Sequence, residues 1–127
     1  MLNEKSLSNL KGVNPLLVSV FGAAAAICPI EFQITEGVRS IQRQEFLVDS
    51  GKSKTLNSYH LIQKDGYGAA GDIVVLIDGV ASWHFDDYKQ VSNSVKIAAQ
   101  QLGAKITWGG DFPTFKDGCH FQLEKGK

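Results

Sequence analysis

Gly68-Ala69-Ala70-Gly71-Asp72-Ile73-Val74-Val75-Leu76-Ile77-Asp78-Gly79 is the stretch on which the reading of the fold turns. Ile73–Ile77 is an unbroken apolar run, rich in β-branched residues, and reads as a buried strand. Asp78-Gly79 follows at once and is a strong two-residue hairpin signal, so the chain returns as a strand over Val80–Phe85. Asp72 opens the buried strand. A carboxylate in that position is costly unless it is paired, hydrogen-bonded or bound to a metal.

Working outward, two imidazoles come within reach of that carboxylate. Upstream, His60 ends Asn57-Ser58-Tyr59-His60 and is separated from Asp72 by a glycine-rich turn. Downstream, Asp117-Gly118-Cys119-His120-Phe121 offers a second imidazole with another carboxylate three residues before it. A last strand over Cys119–Leu123 points Phe121 and Leu123 to one face and His120 and Gln122 to the other, so His120 faces away from the core. Two histidines and a carboxylate form a common catalytic zinc set that keeps a fourth position for water. His84, between Trp83 and Phe85, is the rival third imidazole, although it reads better as a structural or groove-lining residue. Cys119, next to His120 but on the opposite face, reads as buried and inert.

The flanking segments supply helices. Residues 1–13 are polar, with a short helix around Ser6–Leu10. Asn14 caps a second helix with Pro15 at its first position, and Leu16, Leu17, Val20, Phe21, Ala24 and Ile27 recur along one face. Glu31–Thr35 alternates as a half-buried strand. Ser40 caps a helix over residues 41–49, with Gly51 just past its end, and residues 52–59 form a polar loop leading to His60. Asp86 or Asp87 caps the next helix, whose apolar positions Tyr88, Val91, Val95, Ala98 and Leu102 keep helical spacing up to Gly103. Lys105–Trp108 is a further strand. This order predicts an α+β fold: one domain over 1–127, a mainly antiparallel sheet with helices packed against it, and the zinc site at one edge.

Composition limits the partners. The 127 residues suffice for one domain, and 13 basic residues balance 13 acidic ones. With no basic block, electrostatic capture of nucleic acid or of an anionic membrane has no support. The apolar run Leu16–Cys28 is too short to span a bilayer and is bounded by Pro15 and Pro29, so no membrane insertion is expected. No basic region and cleavage site frame it as a signal peptide. Cys28 and Cys119 form no CxxC pair, which suits a reducing compartment.

Five pieces in order resemble the zinc peptidases of the D-alanyl-D-alanine carboxypeptidase family, and most of all the phage L-alanyl-D-glutamate endopeptidases. They are Glu36-Gly37-Val38-Arg39-Ser40 with Gln44; Ser58-Tyr59-His60; Gly68-Ala69-Ala70-Gly71-Asp72; Trp108-Gly109-Gly110-Asp111; and Phe115-Lys116-Asp117-Gly118-Cys119-His120-Phe121. The resemblance covers about residues 10–124. It implies that His60, Asp72 and His120 bind zinc, that Asp117 is the general base, and that Arg39 stands near the substrate and the oxyanion. It implies that Ser58 hydrogen-bonds locally or touches substrate. Two departures stand out. Twelve positions separate His60 from Asp72, more than in the family's SxHxxGxAxD, so the extra residues within Leu61–Tyr67 must be extruded as a loop. Cys119 replaces a common proline.

The implied activity is cleavage of the peptidoglycan stem peptide at the L-alanyl-D-glutamate bond. The implied setting is a monomeric phage endolysin, made in the host cytoplasm and released by a holin to the periplasm and cell wall. A D-alanyl-D-alanine carboxypeptidase or dipeptidase, or a non-catalytic zinc-bearing wall-binding module, is the alternative.

Overall fold

The computed structural model describes residues 1–51 and 58–124. In chain order it contains α1 (Glu4–Asn9), α2 (Pro15–Ile27), β1 (Glu31–Glu36), α3 (Ile41–Asp49), β2 (Ala70–Ile77), β3 (Val80–Ser82), α4 (Phe85–Leu102), β4 (Ile106–Trp108) and β5 (His120–Leu123), with a 3₁₀ turn at Gly109–Asp111. The expected polar loop at 52–59 falls mostly on residues outside those described.

All strand pairings are antiparallel, in the order β1-β2-β5-β4, with β3 also pairing with β2. β2 is therefore central. Along one side it pairs with β1; along the other, its first half pairs with β5 and its second half with β3. Phe32, Ile34, Ile73, Val75, Phe121 and Leu123 put their side chains into one core, where Leu17, Val20, Phe21 and Ala24 of α2 meet Val91, Val95 and Ala98 of α4. The α+β fold with helices packed on an antiparallel sheet is the one expected.

Local chemistry explains the boundaries. Asn14 accepts the amide of Leu16 and Ser40 that of Arg43, as caps should. Asp78 and Gly79 both take positive φ, 52° and 79°, the left-handed pair that the tight hairpin turn requires. At β1, an edge strand, α1 covers the exposed backbone: Ser6 Oγ accepts the Ile34 amide at 2.9 Å and Asn9 Nδ2 donates to the Ile34 carbonyl at 2.8 Å.

Three expectations are corrected. The strand after the hairpin ends at Ser82 rather than Phe85, because the Ser82 hydroxyl donates to Asp87 Oδ2 at 2.6 Å and accepts the His84 amide, turning the chain into α4. His84, not Asp86 or Asp87, is the N-cap; the two aspartates occupy the first turn, where the helix dipole favours negative charge. Asp72 is the third residue of β2 rather than its first, since Ala70 and Gly71 already pair with Gln122 and Phe121.

Glycines set how closely the site's supports approach. A Cβ on Gly37 would stand 2.2 Å from the Asn9 carbonyl oxygen, backbone that cannot swing aside. Gly37→Ala is expected to lower stability by about 1–3 kcal/mol through this overpacking, read as a drop in the thermal midpoint. An unchanged midpoint would show that α1 gives way freely.

Candidate active site

Asp72 and His120 are direct cross-strand partners on β2 and β5, and Glu36 is the partner of Asp72 on β1. The register shifts between Ile34 and Glu36, so a bulge brings Glu36 opposite Asp72. A row of Glu36, Asp72 and His120 thus crosses three strands on the face away from the core.

His60 joins this row from the loop. Its Nδ1 lies 2.8 Å from the Gly37 carbonyl, which can only accept, so Nδ1 carries the hydrogen. Nε2 is then bare and stands 3.2 Å from Asp72 Oδ1. On the other side His120 Nδ1 is 3.2 Å from the same oxygen, while its Nε2 meets Gln122 Oε1 at 2.8 Å. Three donor atoms, one each from His60, Asp72 and His120, lie within 4.8 Å of one another.

The extra residues between His60 and Asp72 leave this arrangement intact. The Gln63 amide donates to Tyr67 O and the Gly66 amide to Gln63 O, closing them into a turn of their own. Gly68 is tied on both sides, its amide to Gly12 O and its carbonyl to the Asn14 amide, and Ala69 N donates to Tyr59 O. The expected extrusion of the loop is what the chain does.

The donor set fits a cation. Two imidazole nitrogens and a carboxylate oxygen face one another, and the other ring nitrogens are satisfied by partners outside the cluster. Without a metal the cluster needs a proton between donors. Burial pushes the Asp72 carboxyl up, but hydrogen bonds and charge from His120 and His60 overcome this and hold it far below the usual carboxylate range. Burial pushes His120 down, but the Asp72 hydrogen bond and charge, with Gln122 and Asp117, bring the net shift upward.

Around the cluster, Arg39 is almost covered, with 9% of its side chain exposed. Its Nε and Nη2 donate to Glu36 Oε1 and its Nη1 to Gln44 Oε1, and Nη2 lies 3.7 Å from Asp72 Oδ2. The Ser58 hydroxyl accepts the His60 amide at 3.1 Å, the local bond expected of it. Asp117 is exposed; its amide donates to Gly109 O and its carbonyl accepts the His120 amide, so it is braced three residues before His120. Gly109 is needed there, since a Cβ would stand 2.2 Å from Asp117 O.

Cys119 is half-buried rather than buried. It precedes β5 and turns its thiol to Asp117 Oδ1 at 3.1 Å. Burial, then the charges of Asp72 and Asp117, push that thiol far up, so it stays protonated and a poor metal ligand. His84 is not brought to the cluster. It lines a separate groove with Ile77, Val80, Trp83 and Asp87 at the hairpin end. Sequence reasoning missed the Gly37 carbonyl, which carries no side-chain signal, and the partnership of Gln122 with His120, which their shared strand face did signal.

The two pKa shifts set a pH dependence for the metal-free protein. His120 has a folded pKa above its reference value of 6.5, so its contribution is complete below that value and is lost as pH rises through the raised one. Asp72 is depressed, so its contribution is present above 3.8 and lost only as pH falls through its folded pKa. The metal-free melting temperature is therefore expected to decline as pH rises above 6.5, and added zinc to abolish the decline by taking the proton's place. A metal-free protein that gains stability over that rise would contradict the geometry.

Comparison with known proteins places the chain in a family. Residues 1–123 match the family model for phage L-alanyl-D-glutamate peptidase. The chain is 26% identical over 133 residues to the L-alanyl-D-glutamate peptidase of Escherichia phage T5, with 98% of this chain and 87% of that protein covered. It is 35% identical over 114 residues to the peptidoglycan L-alanyl-D-glutamate endopeptidase CwlK of Bacillus subtilis, covering 80% of this chain and 65% of CwlK. With the L-alanyl-D-glutamate peptidase of Listeria phage A118, identity is 33% over 94 residues, 74% of this chain but 31% of that longer protein. The crystal structure of the Serratia marcescens L-Ala D-Glu endopeptidase ChiX superposes with a TM-score of 0.89 at 41% identity, covering 98% of this chain and 90% of that one. The chain belongs to the phage L-alanyl-D-glutamate peptidase family.

Proposed function

We propose that this protein is a zinc-dependent peptidoglycan peptidase that cleaves the L-alanyl-D-glutamate bond of the stem peptide, acting as a phage endolysin on the host cell wall. The observation that carries the reading is the convergence of His60 Nε2 and His120 Nδ1, each 3.2 Å from Asp72 Oδ1, in a chain of this family. Two imidazole nitrogens and a carboxylate suit zinc, and zinc held there would supply a Lewis acid for the scissile carbonyl and a water acidified to about pKa 7.

The chain's own groups do the rest. Asp117 takes the proton of the attacking water and passes it to the leaving amine. It is solvent-facing, and its backbone bonds to Gly109 and His120 tie it to the start of the strand that carries His120, which supports the role. Arg39 keeps its charge 3.7 Å from Asp72 Oδ2, where it favours the ionised carboxylate and stands by for the developing oxyanion or a substrate carboxylate. Ser58 accepts from the His60 amide and retains its own hydroxyl hydrogen for substrate. The protein works as a monomer on the stem peptide, and among the described residues no helix is long and apolar enough to cross a membrane.

Mass spectrometry of fragments released from purified peptidoglycan tests bond choice and catalysis together. New N-terminal D-glutamate is expected; released D-alanine would favour the carboxypeptidase alternative instead. Asp117→Asn keeps size and turn tendency but cannot accept the proton at neutral pH. It is expected to bind zinc normally and to lose about 10²–10⁴-fold in rate, or roughly 3–5 kcal/mol of barrier. Turnover near that of the wild type would remove Asp117 from the mechanism.

A further inference from the structure

We propose that Gln122 is a positioning residue: oriented by Glu124 and Tyr59, it fixes the His120 ring as the Nε2–H tautomer and so leaves Nδ1 bare towards Asp72 and His60. The inference rests on the metal-site reading above.

Donors and acceptors around Gln122 decide the tautomer. The Glu124 carboxylate accepts from Gln122 Nε2 at 2.9 Å through Oε2, and from the Tyr59 hydroxyl at 2.8 Å through Oε1. A carboxylate offers acceptors only, so the amide end of Gln122 must point at it, and the amide oxygen must then point at His120. That oxygen lies 2.8 Å from His120 Nε2 and has no hydrogen to give. The hydrogen therefore sits on Nε2. Burial raises the Glu124 carboxyl, but its hydrogen bonds to Gln122, Thr107 and Tyr59 bring it below its ordinary value, so it remains an acceptor at neutral pH.

The competing tautomer explains why such a brace is needed. His120 Nδ1 is 3.2 Å from Asp72 Oδ1 and, if protonated, would donate to it. That bond would satisfy the half-buried Asp72 carboxylate in the metal-free protein and place a hydrogen where the metal belongs. Gln122 opposes it by rewarding a hydrogen on the other nitrogen. A neutral amide is suited to the role, because a carboxylate at position 122 would face Glu124 across a single hydrogen-bond distance.

The brace also joins the two imidazoles mechanically. Tyr59 immediately precedes His60, and its carbonyl accepts the Ala69 amide at 2.7 Å. Leu123 N donates to Ala69 O and Glu124 N to Lys105 O, both at 2.8 Å, fixing the end of β5. The loop that delivers His60 thus carries the hydroxyl that anchors the support of His120.

Long-range proton–nitrogen NMR on the full-length, ¹⁵N-labelled, metal-free protein at alkaline pH, where the ring is neutral, reads the tautomer directly. The wild type is expected to show Nε2–H, and Gln122→Leu to shift the population towards Nδ1–H. Zinc affinity, from chelator competition, should fall about 10–100-fold in Gln122→Leu, the usual effect of losing a ligand's outer hydrogen bond. Tyr59→Phe keeps the ring but not the hydroxyl, so it should shift both readouts in the same direction by less, and it serves if Gln122→Leu does not fold. An unchanged tautomer in the folded variants overturns the proposal, whatever happens to zinc. A wild type with the Nε2–H tautomer that takes up no zinc supports the Gln122 assignment and instead defeats the metal reading.

Discussion

One carboxylate sets the terms for this molecule. Asp72 sits inside the central strand, its carboxyl oxygen between two imidazole nitrogens at 3.2 Å. An ionised group in such a place is tolerated only if its surroundings supply positive charge or hydrogen. His60, His120 and, at 3.7 Å, Arg39 provide it, and a metal held by the first two would provide more. The half-buried carboxylate is therefore costly to the apo fold and useful to the site for the same reason: it attracts a cation.

Much of the remaining structure holds the partners of that carboxylate still. β5 carries His120 in register with Asp72, and the bulge in β1 turns Glu36 to the same row, where it engages Arg39. Gly37 passes close to α1 and turns its carbonyl to His60. Gly109 lets the Asp117 backbone come within contact, so that the loop before His120 is braced at both ends. Below the row, α2 and α4 close the opposite face of the sheet and share one core with it, which leaves the polar face to the site.

Several of these features were legible in the sequence for local physical reasons. The hairpin at Asp78-Gly79 and the helix end at Gly103 follow from backbone conformations that few residues accept, and both show positive φ. Strand parity placed His120 and Phe121 on opposite faces. What stayed hidden depends on individual side-chain hydrogen bonds that hydrophobic periodicity does not report. The Ser82–Asp87 bond shortens the expected strand and moves the helix start, and no local propensity encodes it. The expectation that Cys119 is buried failed because the chain turns its thiol to Asp117 before the strand begins. The five-piece resemblance reached His60, Asp72 and His120 where spacing alone left His84 as a rival, and the structure sets His84 apart from them.

The central claim is that Asp72 gathers two bare imidazole nitrogens into one metal site. A crystal structure of the zinc-loaded protein, with anomalous data at the zinc edge, tests it most directly. One ion per chain is expected, bound by His60 Nε2, an Asp72 carboxylate oxygen and His120 Nδ1, at about 2.0–2.2 Å. An ion bound elsewhere, for example at His84, or one that leaves Asp72 outside its coordination sphere, would contradict the account.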